Sequence, residues 1–431
     1  MKPTVLLLAA SLLAVPSTRA DWLRFRGENG SGIAPADAKP PLQWSSSEGI
    51  AWKTDLPGAG ASSPIVIGNK IIVTAYSGID NGIQDLKRHV VCVSSKDGRI
   101  LWEKTITATQ PEDEFTGFLA TEHGYASNTP ASDGERVYVF FGKSGALAFD
   151  LEGKQLWHTP LGTRSNSRRW GSAASVMLTD HHVIVNALDE GGAVFALDKA
   201  TGKEVWRSAA DGLELAYSTP ILVQNGTETD LVLAVAQEIW GINPSTGKLR
   251  WYATHELPGN VSPGVVIGGD HLFIFGGFPR TASVALKLGG RNDITKNIAW
   301  TANDSSYVPT PVYHDGHLYV VNDQGFALCL DAKTGNQVYR ERVMENNSAA
   351  GGERRRGGGK PFYASTILAD GKLYCVSRNN GTFVLAAKPK FEVLAKNVID
   401  LDTTQFNATP AIDQTRLYLR SNRTLYAIGN P

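Results

Sequence analysis

Residues 196–206 read ALDKATGKEVW, and the chain repeats this frame several times. Related segments are GINPSTGKLRW at 241–251, CLDAKTGNQVY at 329–339, CVSSKDGRILW at 92–102 and the shorter AFDLEGKQLW at 148–157. Each starts with a small residue, passes through a glycine and ends on an aromatic residue. Because glycine accepts the positive φ of a tight turn, the frame predicts two short strands joined by that turn. The terminal aromatic residue is expected to lie against a neighbouring repeat, where burying a tryptophan removes roughly 200 Å² of surface from water.

A second unit lies upstream of each frame. It runs from Ser/Thr-Pro through a β-branched strand and a polar turn to an aromatic-rich strand, as in SSPIVIGNKIIVTAY from Ser62 and PTPVYHDGHLYVVND from Pro309. Proline fits the first position of a strand because its missing N–H costs no ladder bond there. Each repeat therefore holds about four strands, and the repeats begin near residues 61, 128, 172, 217, 261, 308, 363 and 407. A period of about 45 residues is typical of propeller blades.

The pattern predicts an all-β, eight-bladed β-propeller of four-stranded antiparallel blades. The last repeat lacks a fourth strand, and Ile50-Ala51-Trp52-Lys53 can supply it from the other end of the chain. Such closure also removes two exposed sheet edges. Seven blades and an open solenoid are the alternatives. The aromatic residues predicted to dock between blades are Trp52, Trp102, Trp157, Trp206, Trp251, Trp300 and Tyr339.

The N-terminus reads as an export signal. Lys2 precedes the apolar run Val5 to Val15, and Thr18-Arg19-Ala20 suits cleavage before Asp21. The run is too short to cross a bilayer as a helix, which needs roughly 20 residues. The first cysteine is Cys92, so we expect no lipid anchor. The predicted organisation is a signal peptide at 1–20, an N-terminal extension at 21–49 and one propeller domain at 50–431, in a periplasmic or extracellular protein.

The charge balance argues against partners that are nucleic acids or anionic membranes, and the cysteine content argues against a disulfide-bonded protein. Without Lys2 and Arg19 the chain carries 40 basic and 42 acidic residues, from 42 of each in the full sequence. This balance favours neither nucleic acid nor an anionic membrane as partner, and we expect a monomer without membrane insertion. The cysteines Cys92, Cys329 and Cys375 lie in strand-like runs and are expected to be small buried side chains rather than a disulfide framework. The insertion Met344 to Lys360, with GGERRRGGGK, is expected to be a loop.

The repeated frame resembles the tryptophan-docking motif of quinoprotein dehydrogenases, and the whole of residues 21–431 is similar to the pyrroloquinoline-quinone (PQQ)-like repeat family. The segment DWLRFRGENGSG from Asp21 looks like the start of exported PQQ-like propeller proteins. The resemblance implies two roles. The dehydrogenases bind PQQ with calcium and carry adjacent cysteines, which this chain lacks. The propeller lipoprotein of the outer-membrane protein assembly machinery is instead a scaffold for protein contacts.

The pocket expected in a propeller is the mouth of its central channel, near the segments that precede the Ser/Thr-Pro units. Polar and aromatic residues cluster there, and converging groups of this kind suit a small polar ligand. They can equally satisfy strand-end backbone groups and hydrate the channel. The candidate channel-mouth residues are His123, Tyr125, Arg169, Trp170, Glu190, Tyr217, Glu238, Asp323 and Arg378.

The sequence contains no nucleophile elbow, phosphate loop, zinc-spaced Cys/His set or EF-hand loop. We therefore predict no catalytic or metal residues and no cofactor, with PQQ and calcium as an alternative that no motif supports. The first functional hypothesis is a non-catalytic scaffold with a protein partner in the cell envelope. The second is a small-ligand or PQQ-binding protein, or a quinoprotein oxidoreductase, and its signature would be convergence of His123, Arg169, Glu190 and Glu238. The third is a hydrolase or lyase, which needs paired carboxylates about 5–10 Å apart.

Overall fold

The computed structural model describes residues 21–108, 110–115, 123–210, 213–257, 259–344 and 360–430. The predicted signal peptide and most of the Met344–Lys360 insertion lie outside the described residues. No helix in the described part of the chain is long and apolar enough to cross a membrane.

Eight four-stranded antiparallel sheets, one of them with an added strand, follow one another along the chain. The first strand, β1 (Ile50–Asp55), belongs to the last sheet. Blade 1 contains β2 (Ile65–Ile67), β3 (Lys70–Ser77), β4 (Lys87–Ser94) and β5 (Ile100–Thr107). Blade 2 contains β6 (Ala131–Ser132), β7 (Arg136–Phe140), β8 (Ala146–Asp150) and β9 (Gln155–Thr159). Blade 3 contains β10 (Met177–Leu178), β11 (His182–Ala187), the one-turn helix α1 (Leu188–Gly191), β12 (Ala193–Asp198) and β13 (Glu204–Ala209). Blade 4 contains β14 (Ile221–Asn225), β15 (Glu228–Val235), β16 (Glu238–Ile242) and β17 (Leu249–Thr254).

The second half repeats the same order. Blade 5 contains β18 (Val266–Gly268), β19 (His271–Gly276), β20 (Ala282–Lys287) and β22 (Ile298–Ala302), with β21 (Asn292–Asp293) joining blade 4. Blade 6 contains β23 (Val312–His314), β24 (His317–Val321), β25 (Phe326–Asp331) and β26 (Gln337–Arg342). Blade 7 contains β27 (Ile367–Ala369), β28 (Lys372–Ser377), β29 (Gly381–Ala386) and β30 (Val393–Asn397). Blade 8 contains β31 (Ala411–Ile412), β32 (Leu417–Arg420) and β33 (Thr424–Ile428).

The ring closes as predicted, because β1 pairs antiparallel with β33 and completes blade 8. The middle strands of each blade are buried on both faces, and the outermost strands alternate between buried and exposed side chains, as one-sided strands do. The hydrophobic clusters combine residues from neighbouring blades, so each blade completes its core against the next. All three cysteines are buried and unpaired inside strands, as expected.

The repeated frame links the blades through its tryptophan. Trp157 of blade 2 donates from its indole N–H to the carbonyl of Lys199 in blade 3, at 2.9 Å. Gly202 in that turn has φ +69°, and a Cβ atom there would come within 2.5 Å of the Trp157 ring. A glycine is therefore required both by the backbone and by the ring that covers it. The same bond to the following blade is made by Trp52, Trp102, Trp206 and Trp300, at 2.9–3.1 Å.

Trp251 departs from this hydrogen-bonding pattern, although it lies, as predicted, in a hydrophobic cluster that blades 4 and 5 share. Its indole lies over Gly241 of its own blade and donates to Asp230 at 2.7 Å. The cause lies in blade 5, where residues 288–297 replace the Thr-Gly turn and add β21 in parallel to the edge of β17. Tyr339 keeps a docking role through its ring, whose centroid lies 5.8 Å from that of Phe391 in blade 7.

Candidate functional site

The central channel contains a cavity of about 180 Å³. Its walls are built by the residues that precede each innermost strand, and one end is closed by Phe25 from the N-terminal extension. That volume corresponds to about six water molecules at roughly 30 Å³ each.

The N-terminal extension forms the floor by crossing the start of the innermost strands. Arg26 is 1% exposed and donates to the carbonyls of Thr310, Pro311 and Thr366 at 2.6–3.1 Å, which joins blades 6 and 7. Burial lowers the pKa of Arg26 to about 9, so the guanidinium stays charged at neutral pH. Further backbone or amide contacts are Trp22 with Val66, Leu23 with Ser132, Asn29 with Leu222, Ala34 with Leu368 and Lys39 with Gln414. Six blades are thus tied together by one segment.

A ring of hydroxyl groups surrounds the cavity. In six of the blades as described, the hydroxyl at the Ser/Thr position of this unit accepts a hydrogen bond from the backbone N–H of the preceding blade, as Thr129 does from Ser63 at 3.0 Å. The other acceptors are Ser175, Thr219, Thr310, Ser365 and Thr409. Blade 5 has Gly264 at this position and has no hydroxyl to contribute. The proline of this motif predicted the start of a strand, whereas the function of the hydroxyl beside it was not predicted.

An aromatic collar surrounds the mouth, and it consists of His123, Trp170, Tyr217, Tyr307 and Tyr363. Among the described residues that line the cavity there is no Lys, Arg, Asp or Glu. Burial lowers the pKa of His123 to about 4, so its imidazole is neutral at neutral pH. The wall therefore offers hydroxyls, amides and aromatic faces without formal charge.

The predicted mouth residues separate into three groups. His123, Trp170 and Tyr217 line the cavity. Tyr125 and Glu190 line a smaller polar pocket between blades 1 to 3. The other four do not line the cavity. Arg169 is exposed on the rim loop, and Glu238 accepts a hydrogen bond from the indole N–H of Trp240 at 2.6 Å. Asp323 and Arg378 are buried behind the cavity wall. His123, Arg169, Glu190 and Glu238 are thus not brought together.

Asp323 and Arg378 position the collar from behind. Asp323 is 2% exposed and accepts from the backbone N–H of Tyr307 at 2.9 Å and from Lys360 at 2.6 Å. The Arg378 guanidinium lies over the Tyr363 ring, 4.7 Å from its centroid, and donates to Asn407 at 2.8 Å. These charges hold the wall and do not enter the cavity.

The loop 165–172 forms the part of the rim that belongs to blade 3. Asn166, 4% exposed, accepts through its side-chain oxygen from the N–H groups of Arg168 and Trp170 at 3.0 and 3.2 Å. Its side-chain amide donates to Asp189 at 2.7 Å. Arg169 adopts φ +53°, which the surrounding hydrogen bonds must impose on a non-glycine residue. The loop is therefore preorganised by a single buried amide.

A pair of buried acids lies beneath this loop. Burial raises the pKa of Asp189 to about 6, while burial and then the nearby Asp189 raise the pKa of Glu190 to about 8. Glu190 accepts from Ser172 at 3.2 Å, and Ser172 precedes a cavity-lining alanine. In the same pocket Arg88 forms a buried ion pair with Glu112 at 2.8 Å. A largely protonated carboxyl thus supports the rim near neutral pH.

The described side chains do not provide the groups that would bind a metal ion or the carboxylates of a quinone such as PQQ. No group of three or more His, Cys, Asp or Glu side chains in the described ranges could hold a metal ion. PQQ carries several carboxylates, and among the described residues that line the cavity there is no charged side chain to pair with them, whereas the exposed arginines Arg168 and Arg169 lie on the rim loop. The buried cysteines lie in three different blades, so they form no adjacent pair.

Eight four-stranded blades, tryptophans that dock blade to blade and a central channel define a β-propeller of the PQQ-like repeat class. The chain matches the family model described as outer membrane protein assembly factor BamB over residues 42–174 and 86–341. These matches span more than half of the chain, and the chain belongs to this family.

Curated relatives support the same family. The outer membrane protein assembly factor BamB of Burkholderia pseudomallei (strain K96243) is 25% identical over 270 residues, which cover 58% of this chain and 65% of that protein. BamB of Yersinia pestis is 25% identical over 239 residues, which cover 51% of this chain and 57% of that protein. The chain thus spans less than two thirds of the length of either relative.

Solved structures share the fold. BamB from Moraxella catarrhalis superposes with a TM-score of 0.60 at 11% identity, over 88% of this chain and 99% of that one. A europium-containing methanol dehydrogenase gives a TM-score of 0.59 at 12% identity, over 95% and 98% of the two chains. At such low identity the similarity shows the architecture alone, which scaffolds and enzymes share.

Proposed function

We propose that this chain is a non-catalytic, exported scaffold that binds protein partners during outer membrane protein assembly in the cell envelope. Family membership supports this role, because the relatives it matches are named outer membrane protein assembly factors. The observation that carries the proposal is the cavity lining, which contains no charged side chain among the described residues. The charged groups around it, such as Arg26, Asp323 and Arg378, are committed to holding the walls.

The architecture suits protein contacts. The floor, the hydroxyl ring and the docking tryptophans fix the disc, so that the mouth-side loops are presented on a rigid support. Protein interfaces of this kind use loops of fixed shape, which lose little conformational entropy on binding.

Deleting the gene tests the function directly. We expect lower amounts of outer membrane β-barrel proteins in the deletion strain and recovery with the complete gene. Unchanged amounts in the deletion strain would reject the assembly role.

Site-specific cross-linking tests whether protein partners bind at the face of the propeller that carries the cavity mouth. A photoreactive amino acid at the exposed rim residue Ser167 should give adducts with envelope assembly proteins, identified by mass spectrometry. The matched position is the exposed Lys203, in the turn between β12 and β13, and it should give none. Equal adducts from both positions would contradict use of the mouth.

We further propose that the protein works without a bound quinone. Thermal unfolding in the presence of PQQ, with and without calcium, should show no shift. A ligand at 100 times its dissociation constant stabilises a protein by roughly 2.7 kcal/mol, which such an assay detects. A clear shift that depends on calcium would make the quinoprotein role the better hypothesis.

A further inference from the structure

Arg168 is held at the cavity mouth by aromatic faces. Its guanidinium carbon lies 5.1 Å from the centroid of the Trp170 ring and 5.9 Å from that of Phe278, a residue of blade 5. The side chain therefore reaches from the blade 3 loop across to blade 5. Phe278 in turn contacts Tyr307 of the aromatic collar, with ring centroids 5.4 Å apart. The cation thus lies near two rings, of which Trp170 lines the cavity and Phe278 packs against the lining residue Tyr307.

Arg168 has no acidic partner among the described residues. No carboxylate in these ranges forms an ion pair with it, and the residue is exposed to solvent. The N–H donors of a guanidinium lie in its plane, where they can bind a carboxylate through two parallel bonds. The exposed Arg169 and Arg280 add positive charge to this part of the rim. The nearby carboxylate of Glu214 has a different partner, because it accepts a hydrogen bond from the backbone N–H of Ser167 at 2.7 Å.

The space below the cation is different in kind. It is uncharged and is surrounded by aromatic rings and hydroxyls, with Phe25 of the N-terminal extension among its lining residues. Its volume of about 180 Å³ suits one bulky side chain and excludes a folded element. A ligand that satisfies both parts carries a carboxylate directly beside an apolar or aromatic group.

We infer that the mouth binds an acidic peptide segment, in which a carboxylate pairs with Arg168 and the neighbouring aromatic side chain enters the cavity. This inference rests on the proposed scaffold function and names the chemistry of its partner. The loop is preorganised for the task, since Asn166 fixes the backbone of both Arg168 and Trp170. A bound acid therefore meets an arginine whose backbone position the free protein already defines.

Calorimetric titration of the full mature chain tests the inference with two capped peptides. The probe is acetyl-Gly-Asp-Phe-Gly-amide, and its matched control replaces the aspartate by asparagine, which has the same shape and no charge. We expect the aspartate peptide to bind at least about tenfold more tightly, because hydrogen bonds between charged partners are roughly twice as strong as neutral ones. A third arm uses free PQQ.

The variant Arg168→Gln should abolish the preference for aspartate. Arg207→Gln is the matched control, because the Arg207 guanidinium also lies 5.1 Å from a ring centroid, that of Phe195, but on β13 and paired with Glu204. Equal binding of both peptides, retention of the preference in Arg168→Gln, or no binding at millimolar peptide would each overturn the inference. Binding of PQQ alone would overturn it in favour of a small-molecule site. None of these results would alter the outcome of the gene deletion, which tests the scaffold function separately.

Discussion

The two ends of the channel use arginine in opposite ways. At the closed end Arg26 is almost fully buried, and carbonyl oxygens from blades 6 and 7 and from its own segment accept its N–H donors. At the open end Arg168 is exposed, lies over the rings of Trp170 and Phe278, and forms no ion pair with a described residue. The difference shows that charge at a channel need not indicate a ligand. A guanidinium whose donors are all used stabilises the fold, and one that is only stacked remains able to bind.

Replacing Arg26 should produce the largest effect on stability. Arg26→Met leaves several buried carbonyls without donors, each at a cost of about 1–3 kcal/mol, so we expect a loss of at least about 3 kcal/mol in the free energy of unfolding. Denaturant unfolding measures it, and Arg99→Met is the control because its side chain is 77% exposed. Equal stability of the two variants would show that the floor does not hold the ring.

The variant Asn166→Ala should loosen the open end without affecting the closed end. It leaves the buried Asp189 without one donor and removes the acceptor for two loop amides, which should cost about 2 kcal/mol. Hydrogen exchange should become faster at Arg168 and Trp170 and stay slow at Trp22 and Val66. The exposed Asn303→Ala is the control. Unchanged exchange at the rim would contradict a preorganised loop.

The acid beneath the rim should make stability depend on pH. Glu190 keeps its proton up to about pH 8 in the folded chain, against 4.5 in the unfolded chain. Between these values the folded protein binds more protons, so the free energy of unfolding falls as the pH rises. The slope from this group is at most roughly 1.4 kcal/mol per pH unit.

The variant Glu190→Gln should flatten that slope. Its free energy of unfolding should approach that of the wild type near about pH 5 and exceed it near about pH 8. Glu152→Gln is the control, since the Glu152 side chain is 76% exposed. Parallel curves for wild type and Glu190→Gln would mean that Glu190 is ionised throughout.

Replacing Arg168 should have the smallest effect on stability. An exposed stacked residue changes the free energy of unfolding by less than about 0.5 kcal/mol when it is replaced away from buried features. The variant Arg168→Gln should therefore unfold like the wild type while losing preference for the acidic peptide. A large loss of stability would place Arg168 in the same class as Arg26.

The fold followed from local patterns because each blade repeats them. The turn glycine and terminal tryptophan predicted that Trp157 lies against the next blade, and the unpaired Trp52 segment predicted the closing strand. The hydrogen-bond partner of Trp251 was not predictable, because it depends on a turn in the next blade that residues 288–297 replace. A motif predicts the strands that it contains, and it cannot predict a change in the turn of the neighbouring blade.

The candidate site was predicted only in part. The position of the mouth and three of its lining residues, His123, Trp170 and Tyr217, followed from their place before each inner strand. Glu238 did not, because its position at a strand end gives no direction for its side chain. Arg168 was not among the candidate residues, because its partner Phe278 is more than a hundred residues away in sequence and adjacent only in the folded ring.

The sequence by itself determined the repeat, the number of blades and the way the ring closes, since these depend on turn residues and on the spacing of strands that each segment carries. Only the tertiary structure decided that the N-terminal extension crosses one end of the channel. It also decided that the N–H donors of Arg26 are hydrogen-bonded to carbonyls, whereas Arg168 has no ion pair among the described residues. The reason is physical. Hydrogen-bond satisfaction and burial depend on groups that different blades bring together, and no single segment of the chain contains both partners.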